Sequence, residues 1–480
     1  MNNLKIFIFL LTLTFSFGCS EEFLDTDPER SISSEQVASA SAATEAIVNG
    51  IYANLRSSGV GNPARVDVDY GQKAMMAYAD MLGHDIVLHN FNWYIFVYNY
   101  NGRQQTSSRT NIIWNTYYTA IADANSVIIA LDGKVDRTDK ENALLGQALA
   151  IKSFSLFNLA RFYCHTYLGN ESDPGVPIPD RVNFEGNGRG TLQDVYDRII
   201  PDLERAKDLL VGYTRNSKQQ IDLSVAQGIL ANVYLETGDW LKAADNANKA
   251  RQSYSLMPGT DYASDGFDNI NNVEWMWGAD IDSQTSSSFV SFFAHFDSTS
   301  GGYGGTLGGY KKIVPRLYDQ IPDTDLRKAA WVDPNNNNTS FPDYTNLKFV
   351  DATGSFEGDY SYMRSAEMYL IEAEAKARLG DASAADVLFE LVSNRNPAYT
   401  KSTNTGMDLV NEIYLQRRIE LWGEGVAWFD LKRFKLPLDR TGHPSFGNIS
   451  ITPEGDFFRF QIPEGEINSN PKINSSDQNP

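Results

Sequence analysis

The chain has 480 residues, 42% hydrophobic and 21% charged, a balance that excludes global disorder and allows two to four ordinary domains or one large fused unit. A net charge of −20 argues against a nucleic-acid binder, which needs a basic footprint to neutralise phosphates. Two cysteines cannot build a disulfide framework, and five histidines without a cysteine cluster argue against structural zinc.

Lys5 precedes an apolar run over residues 6–17, too short for a membrane span of ~20 residues but suited to a secretory signal. The run ends in Ser16-Phe17-Gly18-Cys19, the shape of a bacterial lipoprotein cleavage site. Residues 1–18 therefore read as a signal peptide, Cys19 as the lipidated residue, and 19–38 as a tether to the membrane. No later apolar run is expected to approach spanning length, so 39–480 reads as one soluble unit. Helices are predicted over 39–56, 109–132, 141–168, 191–211 with Thr191 as N-cap, and 408–423, from apolar residues at helical spacing. At 223–253, Ala231, Tyr234, Gly238, Trp240, Ala243, Ala247 and Ala250 fall at the spacings of a tetratricopeptide hairpin turning at Gly238-Asp239. A second hairpin at 364–393 turns at Gly380-Asp381, and 141–168 is a candidate degenerate copy; helical repeats thus occupy about 141–253 and 361–433. Long insertions separate the copies, so no simple tandem array is expected. Residues 257–360 are rich in Gly, Asn, Ser and aromatics, with strand-like pieces at 274–281 and 289–296 and a low-complexity loop at 335–338; short strands are also predicted at 449–452 and 457–462. The expected fold class is predominantly α, helical pairs with a loop-rich, partly β insertion.

Several motifs occur in order along the chain. Glu22-Phe23-Leu24-Asp25-Thr26-Asp27-Pro28 is followed by Ala46-Ile47-Val48-Asn49-Gly50-Ile51-Tyr52, then Asp325-Leu326-Arg327, then Arg364 with Glu367, Glu372 and Glu374. Later come Glu420-Leu421, Glu424-Gly425, Trp428-Phe429-Asp430-Leu431-Lys432-Arg433 and the ending Gln478-Asn479-Pro480. This series resembles the SusD/RagB family of outer-membrane nutrient-binding lipoproteins over essentially the whole chain. Ala427 and Lys152 stand where that family commonly has Arg, at what read as scaffold positions. The resemblance implies a SusD-like fold, no catalysis and no cofactor. It also implies a partner, a TonB-dependent SusC-like transporter, to which an oligosaccharide ligand is delivered. A peptide ligand of the RagB type, or a non-binding repeat scaffold, are the alternatives. Ser20-Glu21-Glu22 resembles the export tag of Bacteroidetes surface lipoproteins, which implies the outer face of the outer membrane.

Candidate chemistry is sparse. Glu420 and Glu424, or Glu372 with another acid, offer the two carboxylates a glycosidase needs, but they sit on repeat-type helices. Asp430 and Arg433 are expected to pair locally on a helix. His84 and His89 read as solvated loop residues rather than metal ligands, and Asp67-Val68-Asp69-Tyr70-Gly71 is a calcium-loop fragment lacking its later acids. Two loop segments suit a sugar, whose C–H faces stack on rings and whose hydroxyls pair with amides. One contains Asn90, Trp93, Tyr94, Tyr98 and Asn101; the other contains Tyr303 and Tyr310 among glycines. For the first, the alternative is a buried strand with Trp93, Ile95 and Val97 on one face and Tyr94, Phe96 and Tyr98 on the other.

Overall fold

The computed structural model describes residues 41–64, 68–181, 185–264, 266–336 and 340–480. The expected signal peptide, Cys19 and the tether lie outside these residues, as do Asp67 and Asn337 and Asn338.

Helices dominate, and their ends are set by the residues the sequence puts there. In chain order they begin with α1 (Ser41–Arg56), α2 (Gln72–Leu82), the one-turn α3 (Ile95–Tyr98), α4 (Ser108–Asp132) and α5 (Asp139–Tyr163). Thr138 opens α5 with a capping box: its hydroxyl accepts from the Glu141 N–H, and the Glu141 carboxylate accepts from the Thr138 N–H. α5 is long and apolar enough to cross a membrane by length and composition, yet that stretch is wholly buried inside the protein. The expectation that no later apolar run approaches spanning length is therefore corrected; a central core helix passes the same test because it is covered on every side. Thr191 caps α6 (Leu192–Leu209) as expected, again with a capping box, through Asp194.

The two repeat hairpins form as expected: α7 (Leu223–Thr237) with α8 (Trp240–Arg251), and α11 (Ser365–Leu379) with α12 (Ala384–Arg395). Gly238 and Gly380 end their first helices at φ 76° and 74°, the left-handed conformation that only glycine adopts without strain. Between them lie α9 (Phe292–Phe296) and α10 (Pro315–Tyr318); after them come α13 (Gly406–Glu420), α14 (Ala427–Arg433) and α15 (Glu464–Ser469). α1 packs on α4, α4 on α5, α5 on α6, α6 on α7, α7 on α8, α8 on α11, and α11 on both α12 and α13. The insertion thus loops out of a continuous helical stack, because α8 meets α11 directly despite the hundred or so residues between them.

The strands are short and pair antiparallel in twos. β1 (Ile86–Leu88) pairs with β5 (Lys311–Ile313), β2 (Pro174–Pro177) with β3 (Arg189–Thr191), β4 (Trp275–Ala279) with β6 (Tyr360–Arg364), and β7 (Leu438–Asp439) with β8 (Ser450–Ile451). β4 and β8 answer to the predicted strands at 274–281 and 449–452. The predicted strand at 289–296 is a correction: Ser291 accepts from the Ala294 N–H at 3.1 Å and starts α9 there. Residues 457–462 form no strand either; a 3-10 turn occupies Asp456–Phe458. α2 was not foreseen.

A buried ionic cluster ties the insertion to the stack. Arg364 binds Glu274, Glu420 (3.0 Å) and Glu424 (2.6 Å); Arg395 binds Glu274 (2.7 Å) and Glu420 (3.0 Å); Arg327 binds Asp325 (2.7 Å) and Glu420 (3.1 Å). Lys348 reaches Glu424 at 2.6 Å. The final residues stitch a second seam. Arg103 donates to the Pro480 carbonyl at 2.7 Å, and the Asn479 amide donates to the carbonyls of Tyr163 and Phe460, each at 2.7 Å. The Gln478 amide donates to the Ile462 carbonyl at 2.9 Å and accepts from the Ile462 N–H at 2.7 Å.

Candidate functional site

The ladder between β1 and β5 brings the two candidate loop segments together. Beyond Leu88 the pairing runs on, with the His89 N–H donating to the Tyr310 carbonyl at 3.1 Å. Residues 89–94 therefore lie beside 303–310. Asn90 bridges them, its amide donating to the Gly308 carbonyl at 3.1 Å, and Trp93 meets Tyr303 edge-on with ring centroids 5.8 Å apart. Asn92 starts α3 by accepting from the Tyr94 N–H at 3.0 Å, a local side-chain turn that fixes which rings point outward.

Helical rather than strand spacing decides the fate of each ring in 90–101. Trp93 is 45% exposed and Phe96 46%, while Tyr94, Ile95, Val97 and Tyr98 are buried. Tyr94 and Tyr98 are thereby corrected: both are 0% exposed and present no face to a ligand. The Tyr94 hydroxyl bonds that of Tyr70, and its ring packs edge-on against His295 (5.1 Å) and Phe296 (6.3 Å). The Tyr98 hydroxyl bonds His443 Nδ1 at 2.6 Å. The alternative strand pattern fails too, because Trp93 is exposed and Tyr98 is not.

Tyr303 is half-buried, stacked on the His295 ring at 4.7 Å, and touches Phe289 at 5.7 Å; Phe289 in turn touches Phe356 at 5.7 Å. Trp93, Tyr303, Phe289 and Phe356 thus form a connected row of rings along one rim, with Phe289 47% exposed. Phe289 and Phe356 escaped the sequence reading. No sequence motif marks them; only the structure shows that Ser288 and Phe356 both adopt positive φ, 52° and 61°, strained for such residues. Tyr310 stands apart from this row, against His89 (5.8 Å) and Phe341 (6.0 Å). Asn101 is exposed at the far end of its segment, where its N–H donates to Asn99 Oδ1 at 3.1 Å, and no contact joins it to the row.

The rim rests on a rigid floor. Arg440 is fully buried and spends its guanidinium on the carbonyls of Met81, Gly83 and Tyr98, locking the end of α2 to the end of α3. His84, expected in solvent, is instead mostly buried 3.7 Å from Asp85, and burial pushes its pKa down to about 4. Among the described residues no group of three or more His, Cys, Asp or Glu side chains is placed to hold a metal.

The acids considered for catalysis are engaged otherwise. Burial would raise the pKa of Glu420, but the guanidiniums of Arg395, Arg364 and Arg327 outweigh it and hold the carboxyl well below the usual range. Glu424 is lowered likewise, Arg364 and Lys348 overcoming its burial. Glu372 is paired with Arg251 (2.8 Å) and Lys376 (2.7 Å). A glycosidase acid must keep its proton near neutrality, and Glu420 and Glu424 are held ionised. Asp430 and Arg433 pair at 3.1 Å as expected, joined by Arg417 and Glu374.

Stack, looped-out insertion and ring-lined rim define an α-helical repeat protein that displays an aromatic face on an irregular insertion. A family model described as "Starch-binding associating with outer membrane" matches residues 22–235, and the SusD family model matches 277–480. SusD-like protein P2 of Formosa agariphila is 25% identical over 95% of this chain and 94% of its own length. A SusD-like carbohydrate binding protein from Bacteroides vulgatus superposes with a TM-score of 0.79 at 26% identity, covering 91% of this chain and 98% of that one. Surface glycan-binding protein A from Bacteroides uniformis shares the fold, with a TM-score of 0.70 at 17% identity over 92% of this chain and 99% of its own. The chain belongs to the SusD family. Members of that family are binding proteins, and the first model's description associates them with the outer membrane.

Proposed function

We propose that this protein binds an oligosaccharide or polysaccharide along the rim and delivers it to a TonB-dependent SusC-like transporter, tethered at the cell surface through lipid on Cys19. The observation that carries the ligand is the edge-on pair of exposed Trp93 and half-buried Tyr303 on a buried, hydrogen-bonded floor. Exposed rings of this size are costly to leave in water, and a sugar's C–H faces cover them while its hydroxyls reach Asn90 and its neighbours. Phe289 and Phe356 lengthen the platform, which favours a chain of sugars over a single ring. The family match and the carbohydrate-binding description of the Bacteroides vulgatus relative support the same ligand class.

The test is calorimetry and affinity electrophoresis of the protein lacking its first 19 residues against maltoheptaose, a panel of other glycans, and peptides. Trp93→Ala is expected to weaken glycan binding roughly three- to tenfold, since an aromatic contact contributes about 0.5–1.5 kcal/mol beyond its area, with the melting temperature unchanged. Binding to peptides but no glycan would favour the RagB-type alternative. Binding to neither would leave a repeat scaffold for the transporter.

A further inference from the structure

A cation lies buried under the rim with no counter-ion among the described residues. Lys311, the first residue of β5, is 1% exposed, and no carboxylate among the described residues lies within ion-pair distance of it. Its Nζ donates to two carbonyl oxygens, those of His295 (2.6 Å) and Gly309 (2.9 Å), and stands 5.5 Å from the ring centroids of Tyr94 and Phe296. Those two carbonyls are the feet of one loop. The chain leaves α9 after His295 and Phe296, runs through the glycine- and serine-rich segment that carries Tyr303, and returns at Gly309 into β5. Within the loop, closure is by backbone: Gly304 N–H to the Ala294 carbonyl at 2.8 Å and Gly309 N–H to the Tyr303 carbonyl at 2.8 Å. His295 is also the ring on which Tyr303 stacks.

We propose that Lys311 is a positioning residue of the ligand site, its ammonium clamping the two feet of the 295–309 loop so that Tyr303 is held against Trp93 before any ligand arrives. This rests on the rim being the glycan site. An apolar residue here would avoid the cost of burying a charge, which is large enough to push the Lys311 pKa down to about 7. Below that pKa the ammonium supplies charge-assisted hydrogen bonds to both feet at once, about twice as strong as neutral ones. A glycine-rich loop loses much freedom when ordered, and ordering it in advance removes that cost from ligand binding.

Lys311→Met keeps the apolar stem and removes the clamp; Lys311→Gln keeps two N–H donors on a shorter arm. Hydrogen exchange of amides 300–309, the melting temperature, and affinity for maltoheptaose are measured for both, alone and combined with Trp93→Ala and Tyr303→Ala. Lys311→Met is expected to speed exchange in 300–309 about tenfold, against the rest of the chain unchanged, and to weaken maltoheptaose binding roughly three- to tenfold. Lys311→Gln should recover part of both effects, and carries the test if the Met variant does not fold. The binding loss should vanish where both rings are already gone, because the lysine acts through them. Unchanged loop exchange, or exchange raised evenly over the whole chain, overturns the clamp. If Trp93→Ala binds as well as the unaltered protein, or maltoheptaose is not bound at all, the rim reading is what fails, and exchange alone decides the clamp.

Discussion

Trp93 and Tyr94 are adjacent in sequence, similar in size and opposite in role. Trp93 precedes α3 and faces out, while Tyr94 is sealed among Tyr78, His295 and Phe296 with its hydroxyl on that of Tyr70. Tyr94→Ala is expected to cost ~3–5 kcal/mol, the range for emptying a large aromatic from a packed interior, and more if Tyr70 is left without a partner. Trp93→Ala should fall within about 0.5 kcal/mol of the unaltered protein, as surface substitutions usually do. Chemical denaturation of the two variants side by side measures the difference, and equal losses would contradict the burial described. The glycines around Tyr303 marked it as a loop ring in the sequence, whereas Trp93 stayed open between a ligand face and a buried strand face. Tyr94 and Tyr98 were not separable from Trp93, because ring type says nothing about face. That was decided by one helical turn nucleated by Asn92, too short to register as a period.

Among the elements, the helical hairpins were the easiest to foresee, since small residues at close-packing positions and a Gly-Asp turn are both written locally. Their turns differ in what surrounds them. A Cβ at Gly380 would meet nothing within 4 Å, whereas at Gly238 it would stand 3.1 Å from a Leu168 methyl. Gly380→Ala is therefore expected to lose about 1–2 kcal/mol from the left-handed backbone alone, and Gly238→Ala more, because Leu168 must also move. Thermal melts of the two variants test the order; a larger loss at Gly380 would overturn it. α2 escaped notice for the opposite reason: nearly all of its residues are buried, Gln72, Lys73 and Asp80 included, so its sequence has no polar face to set a period. The Lys73 ammonium finds the Ser361 carbonyl at 3.1 Å, and Asp80 accepts from the Gly425 N–H at 2.7 Å, partners hundreds of residues away. α9 was mistaken for a strand because a short unbroken run of aromatics fits either state until a cap decides.

For the whole molecule, the ionic cluster converts residues scattered from Glu274 to Glu424 into one buried joint. Asp325, Glu420 and Glu424 were visible in the sequence as parts of a family pattern and Glu274 was not; that they converge was not visible either, because convergence is a property of the stack. Glu424→Gln is expected to cost about 3–5 kcal/mol at neutral pH, the usual result of removing one partner from a buried pair, since Arg364 keeps its charge with one carboxylate fewer. The same carboxyls set the acid limit. Glu420 and Glu424 have pKa values lowered in the folded protein, so the folded state binds fewer protons than the unfolded chain and their stabilisation is complete above the ordinary value of 4.5. It is lost as pH falls from there through the depressed folded values. The melting temperature should drop steeply below about pH 4.5, and less steeply in Glu424→Gln, where one titrating group is gone. Parallel profiles for the two proteins would show that the cluster does not govern acid unfolding.

The seam made by Gln478, Asn479 and Pro480 bears on how the molecule is born. A chain emerging from the ribosome presents α4 and α5 long before the tail that satisfies Arg103 and the backbone at Tyr163. Until residue 479 arrives, the Tyr163 carbonyl lacks its Asn479 partner, and the last turn of the central helix is left without the bond that finishes it. A chain that stops short of Gln478 lacks the bonds from Arg103 to Pro480 and from Asn479 to Tyr163 and Phe460.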